Sequence, residues 1–426
     1  MYKWLLSLLI SIPFFFKIEL FEGFRILPQE PFILLLVIFI SVDNIKKKTP
    51  LYSLPYICLN LSLFVIVLSS LISLFFVFDI IGLIKTFKYL LYAYSIFLLL
   101  TSDLIKEIVF FKILVIGKWV ICISLILYAY WFSILGMSWQ EFVSFTTWHA
   151  EYMPTGLGNI VFDISTGNFY RSGGNHGIYG TYLVLLFILS VYQLKKSFYK
   201  KGKFLIVLIL VNISFLTSRE TILLLFVTIA FTAMYSLTKL KVNRKAFYLF
   251  VGLLGVISVV LIVWQPEFVL LNKIEHMLNS LSERGKVDNN VSYRFNTWTL
   301  YFGYAFTHIS SLIFGIGYNR TRFENILSTQ ETIMGSELSH VSVPESFYIT
   351  TLAYGGILSF ILGLLFFCFT IYFLSKKNFL GPLFLFYVIG LMITNGTGSS
   401  ILAELMISQL GLVYVLTQKF TNLEVN

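Results

Sequence analysis

Apolar positions in this chain fall in long, nearly unbroken runs rather than in the three-and-four spacing of a half-exposed helix. Runs suited to crossing roughly 30 Å of hydrocarbon lie near residues 3–21, 28–44, 54–78, 86–102, 108–135, 176–194, 204–217, 219–237, 246–264, 344–374, 380–394 and 400–418. They predict about twelve spans and an all-α polytopic membrane protein. The first run is expected to be a retained membrane helix. Pro13-Phe14-Phe15-Phe16-Lys17 is bulky throughout and offers no small-residue cleavage site. Polar interruptions divide the rest into membrane helices over 1–135 (about five spans), a loop over 136–175, helices over 176–264, a large loop over 265–343, and helices over 344–426.

The polar positions between the runs set an orientation. Lys46-Lys47-Lys48, the stretch from Lys195 to Lys203, the stretch from Lys239 to Lys245, and Lys376-Lys377 occupy alternate loops. The positive-inside rule assigns all four to the cytoplasm. Both termini are then expected inside, and both long loops outside. Within the larger loop, Phe268, Leu271, Ile274, Leu278 and Leu281 recur at helical spacing, which suits a surface helix. Tyr293 to Trp298 opens a second helical stretch, and Gly315-Ile316-Gly317 predicts its break.

Composition narrows the class. Hydrophobic residues make up 58% and charged residues 12%, too few charges to cover a soluble fold of this length. The same numbers exclude disorder, collagen and a disulfide scaffold. Cys58, Cys122 and Cys368 lie far apart in apolar stretches and read as small buried hydrophobes.

The net charge of +10 would suggest nucleic acid until the basic residues are sorted by side. Of the arginines, Arg25, Arg171, Arg219, Arg284, Arg294, Arg320 and Arg322 fall outside, and only Arg244 inside. Topology alone does not require that split, because lysine satisfies the positive-inside rule equally well. The planar guanidinium matches phosphate or carboxylate bidentately, so an arginine-rich outer face points to an anionic ligand and away from nucleic acid. The plainer alternative is pairing with Glu324, Glu331 and Glu337 or anchoring to headgroups.

Three outer helix starts carry cap signals. They are Thr217-Ser218-Arg219-Glu220, Ser342-Val343-Pro344-Glu345 with the proline in the first turn, and Asn175 just before His176. Each stands within a few residues of Arg or His, and a helix N-terminus favours anions. Lys85 and Lys88 are expected to snorkel to the surface, and Lys118 lies deeper without an evident partner. His149 and His308 read as structural, and Glu404 as a partner for one of the arginines.

At these residues the chain resembles the O-antigen polymerase and O-antigen ligase superfamily. The resemblance rests on Arg171 with the following glycine-rich segment, the Thr217-Ser218-Arg219 helix start, and Arg294 with Trp298 and Gly315-Ile316-Gly317. It ends on His340 followed by Pro344-Glu345-Ser346-Phe347 and Gly355-Gly356-Ile357-Leu358, and covers roughly residues 165–375.

The resemblance implies a GT-C-like fold in the bacterial inner membrane and a metal-independent inverting glycosyltransferase without cofactor. The donor would be an undecaprenyl-diphosphate-linked oligosaccharide at the outer leaflet. Arg219 and Arg294 would hold the diphosphate, while His340 or Glu345 would orient or deprotonate the acceptor hydroxyl. Arg171, His176, Arg320 and Arg322 would bind substrate. Trp139, Trp148, Tyr152 and Tyr318 would stack on sugars or simply pack. Val341 after His340 favours a polymerase over a ligase acting on lipid A-core. A polymerase would have membrane lipid, a chain-length regulator and a flippase as partners. A flippase or exporter of lipid-linked glycan is the alternative from another class.

Overall fold

The computed structural model describes residues 17–21, 24–26, 30–47, 54–101, 107–135, 160–171, 176–196, 202–216, 221–230, 289–334, 344, 346–375 and 380–397. Among them the chain is mostly helical. The helices are α1 (Glu30–Lys47), α2 (Leu54–Ser73), α3 (Ile80–Thr101), α4 (Glu107–Leu135), α5 (His176–Lys196), α6 (Gly202–Leu216), α7 (Thr221–Ala230), α8 (Asn289–Thr307), α9 (Ile309–Phe314), α10 (Arg320–Met334), α11 (Phe347–Ser375) and α12 (Leu380–Thr397). Of the predicted spans, 246–264 and 400–418 lie outside the described residues, as do the surface helix at 267–281 and Glu404.

Among the described residues, three helices are long and apolar enough to cross a membrane: Leu54–Ser73, Ile80–Leu98 and Phe347–Ser375. Shorter apolar helices include Tyr179–Val191, Lys203–Ile213 and Leu383–Thr394. Their side chains sort as lipid requires. Leu61, Phe64, Leu68 and Ile72 of α2 face outward, as do Ile357, Leu358, Ile361 and Leu365 of α11. Ser62, Ser69, Ser70, Ser359 and Thr370 turn inward. Water would drive the reverse sorting.

Two expectations are corrected at the N-terminal end. Lys17–Phe21 is strand β1 rather than the end of a first membrane helix, and the fold is not wholly α-helical. Strands β1, β2 (Phe24–Ile26), β3 (Ile160–Asp163) and β4 (Asn168–Arg171) form one sheet in the order β2-β1-β3-β4. Lys17-Ile18-Glu19-Leu20-Phe21 alternates polar and apolar residues, the period of a strand. Glu19 and Arg25 close the β1–β2 hairpin through an ion pair at 3.2 Å. Strand β1 pairs with β3 in parallel, with Ile18 opposite Phe162.

The β3–β4 turn forms because Asp163 accepts hydrogen bonds from the Ser165 amide at 2.8 Å, the Ser165 hydroxyl at 2.7 Å and the Thr166 hydroxyl at 2.9 Å. The Ser165 bonds, foremost, hold the Asp163 carboxyl below the usual aspartate range. Gly167 supplies the left-handed residue at φ 69°.

Helix α3 starts earlier than its apolar run predicts, because Asp79 caps it and accepts the Gly82 amide at 2.8 Å. Lys88 therefore lies inside the helix. Instead of snorkelling, its ammonium pairs with Glu30 at 2.6 Å and donates to the Arg25 carbonyl at 2.9 Å, joining α3, α1 and β2. Cys58 is buried as expected and Cys122 partly so, but Cys368 is exposed on the outward side of α11.

The core has two seams. Helices α2 and α11 run antiparallel, with Tyr56 and Phe366 rings 5.7 Å apart near one end. Ser62 and Ser359 exchange hydroxyl-to-carbonyl bonds at 2.9 and 3.1 Å. Further along, a Cβ on Gly355 would meet Ile66 at 2.7 Å. Small residues let these backbones approach. In the second seam, the Tyr179 hydroxyl of α5 lies 2.9 Å from Ser124 Oγ of α4 and 3.3 Å from Asn212 Oδ1 of α6. Asn212 in turn donates to the Ile121 carbonyl at 3.4 Å. Helix α12 links the two, since Tyr387 donates to the Thr181 carbonyl at 3.1 Å and Tyr348 donates to the Met392 carbonyl at 3.0 Å.

Candidate functional site around a broken helix

Helix α11 is interrupted at Gly356, whose φ of 68° and ψ of −170° lie in a region essentially confined to glycine. A break here frees the carbonyls of Ala353 and Tyr354, which an unbroken helix would pair with residues four further on. The extended segment after α9 takes them. Ile316 donates its amide to the Ala353 carbonyl at 2.8 Å, and Gly317 donates to that of Tyr354 at 3.1 Å.

Both glycines of this segment have positive φ, 75° at Gly315 and 76° at Gly317. A Cβ on Gly315 would stand 2.6 Å from the Gly355 and Gly356 nitrogens, and one on Gly317 would stand 2.6 Å from the Ser69 carbonyl oxygen. Backbone thus lies directly on backbone. The predicted break at Gly315-Ile316-Gly317 is present, and its purpose is this approach.

Helix α2 supplies the other wall. Ser69 Oγ donates to the Phe314 carbonyl, and Ser70 Oγ accepts the Tyr318 amide at 2.8 Å. Asn319 donates to the Val77 carbonyl at 2.9 Å and caps α10 by accepting the Arg322 amide at 2.9 Å. Tyr318 packs between Tyr354 and Tyr89, with ring centroids at 4.7 and 6.0 Å.

The expected site residues are distributed unevenly. Arg320 is exposed at the first position of α10. Arg322 donates from Nη1 to the Ser73 hydroxyl at 3.2 Å and the Ile316 carbonyl at 3.1 Å, and its guanidinium lies 4.8 Å from the centre of the Phe76 ring. It fastens α10 to α2 and to the extended segment. Arg294 sits half-buried near the start of α8. Arg171 ends β4 with its backbone paired to Ile160, and His176 is the first residue of α5. Arg219, His340 and Glu345 lie outside the described residues, as do His149, Trp139, Trp148 and Tyr152.

The cap signals fare similarly. Asn175 and residues 217–220 lie outside the described residues, although α5 begins at His176 and Thr221–Ala230 is helical. The Ser342 capping box with Pro344 in the first turn is corrected. Helix α11 begins at Phe347, Ser346 accepts the Thr350 amide at 2.8 Å, and the Thr350 hydroxyl holds the Pro344 carbonyl at 2.9 Å. His308 has the structural role expected of it: its ring stacks on Tyr304 at 4.2 Å and its Nδ1 lies 3.0 Å from Thr307 Oγ1.

Residues that sequence reasoning passed over build much of this junction: Ser69, Ser70, Ser73 and Asn319. The available signal was a serine cluster closing an otherwise apolar run. No protein-family model matches the chain, and comparison with curated protein sequences finds no match.

Proposed function

We propose that the chain is a polymerase of a bacterial surface polysaccharide, an O-antigen or a capsule, with about twelve spans and a GT-C-like fold. The reading is supported above all by one observation. Gly315-Ile316-Gly317 and Gly355-Gly356, two motifs of the resemblance far apart in sequence, meet backbone to backbone and place Arg320 and Arg322 immediately beyond. The orientation drawn from the lysines is compatible with the sheet, since β1–β2 and β3–β4 come from segments assigned to one face.

The reaction is an inverting transfer from undecaprenyl diphosphate at the outer leaflet. An acceptor hydroxyl oxygen bonds to the anomeric carbon of the growing glycan as the bond to the diphosphate oxygen breaks. The diphosphate leaves with the electron pair, and the hydroxyl proton passes to His340 or, in its place, Glu345. The transition state is oxocarbenium-like, and charge grows on the leaving diphosphate. Arg219 and Arg294 would stabilise that charge, with Arg171, His176 and Arg320 binding the remainder of the donor. Preorganised donors aimed at developing charge are a large catalytic contribution, about a hundredfold or more for each one lost.

Liposomes holding the purified protein and lipid-linked repeat units provide the test. Arg219→Ala and Arg294→Ala are each expected to lower chain extension about a hundredfold, and full extension by both would remove the site assignment. A transport reading draws support from the break in α11, because discontinuous helices recur in transporters. Movement of lipid-linked sugar across the vesicle without longer glycans would replace the polymerase with a flippase. Extension only with a lipid A-core acceptor would identify a ligase.

A further inference from the structure

We infer that α9, with the adjoining side of α8, is a re-entrant element whose partner is the acyl chains of the bilayer. The first support is a stripe. Phe295, Phe302 and Phe306 follow one another at spacings of seven and four residues and share one side of α8, and Ile309 and Ile313, four apart, share one side of α9 after the non-helical His308. Phe295, Phe306, Ile309, Ile313 and the neighbouring Phe314 are exposed, and Phe302 stacks on Phe306 at 6.0 Å. The other side of α8 is already occupied: Leu300, Tyr301 and Ala305 are buried, with Tyr301 and Phe323 rings 5.7 Å apart.

Continuity identifies the occupant. Ile357 and Leu358, which follow the break that α9 touches, are exposed and begin the outward side of α11, continued by Ile361 and Leu365. On α2, Leu68 and Ile72 flank Ser69, the residue that holds Phe314. The stripe therefore extends the apolar surface of two helices long enough to span a membrane. Phe314 meets α2 about one turn, ~6 Å along the helix axis, before the last residue Ser73. Phe75, Phe76 and Phe78 stand exposed in the turn just beyond and carry the apolar surface past the end of α2.

Backbone accounting gives independent support. Irregular chain survives at hydrocarbon depth only when its polar groups are paired within the protein. Every amide from Gly315 to Asn319 donates: Gly315 to Ser311, Ile316 to Ala353, Gly317 to Tyr354, Tyr318 to Ser70 Oγ, and Asn319 to Gly317. The Phe314 and Ile316 carbonyls accept from Ser69 and Arg322. The amides of this segment are thus all taken within the protein, as hydrocarbon depth requires. Helix α10 provides the contrast, since its exposed residues are Arg320, Thr321, Glu324, Asn325, Ser328, Thr329 and Thr332, with apolar Ile333 only near its end.

The inference rests on the chain being embedded in a membrane, and the experiment keeps the two apart. In full-length protein with Cys58, Cys122 and Cys368 replaced by alanine, nitroxide labels are placed singly at Phe306→Cys, Ile313→Cys, Ser328→Cys and Ile361→Cys. Collision with molecular oxygen and with a water-soluble nickel chelate is then measured in phospholipid vesicles. The expected result is an oxygen-to-nickel ratio at 306 and 313 several-fold above that at 328 and close to that at 361. A high ratio at 361 with nickel reaching 306 and 313 as freely as 328 overturns the inference and leaves the membrane reading standing. Protection of 306 and 313 from both colliders would mean protein covers the stripe, which also overturns it. A low ratio at 361 as well removes both.

Discussion

The α2–α11 seam and the α4–α5–α6 seam both join apolar helices, yet by opposite means. In the first, side chains are removed: Gly355 lets the Ile66 side chain close in, and Gly356, Gly315 and Gly317 lay the extended segment after α9 backbone to backbone on α11 and α2, helped by the short Ser62–Ser359 pair. In the second, polar side chains are added, and Tyr179, Ser124 and Asn212 bond to one another in a buried cluster. A close backbone approach tolerates no added atom, because nothing nearby can rotate away. A side-chain cluster can lose one member and reorganise. The first seam should therefore be brittle and the second graded.

The largest expected effect follows from a single methyl group. Gly356→Ala forces alanine into a backbone region essentially closed to it, against the backbone of α9. The cost is expected to reach ~3 kcal/mol or more, seen as a large drop in thermal unfolding temperature in detergent. Gly303→Ala is the matched control. Its Cβ would meet only Gln330 Oε1 at 3.5 Å within α8, so stability should hold or rise by up to ~1 kcal/mol. Equal losses in the two variants would show that close approach is not what makes the seam brittle.

Asn212→Ala should cost less, about 1–2 kcal/mol, because Tyr179 keeps Ser124 and only the Ile121 carbonyl loses its donor. A loss matching that of Gly356→Ala would erase the distinction between the seams. The smallest effect is expected from Ser62→Ala combined with Ser359→Ala in a double-mutant cycle, with a coupling near ~0.6 kcal/mol. A coupling above the whole Asn212 effect would mean that hydroxyl exchange, not glycine packing, holds α2 to α11.

Much of the helical layout was legible in the runs of apolar residues, because hydrocarbon imposes one requirement on every residue of a span. The break at Gly315-Ile316-Gly317 was legible for a related reason: paired glycines mark where a side chain cannot stand. The sheet was not. Its strands are short and its pairing joins residues 17–21 to 160–163, so the local alternation carried little signal until β1 met β3. Lys88 was read as snorkelling because its partner, Glu30, belongs to another helix. The contacts of Arg322 with Ser73 and Phe76 were not legible either, because those residues lie far away in the chain.

By itself, then, the sequence determined the solvent. Its apolar runs and scarce charges suggest a membrane, and its lysine clusters fall in loops apart from most of its arginines. Tertiary structure decided which polar groups remain available. An arginine's chemistry is fixed by its guanidinium, but whether that guanidinium holds the protein or faces a ligand depends on what the fold brings beside it. In Arg322 it holds two helices and an extended segment together. Arg320, two residues earlier on the same helix, reaches the surface.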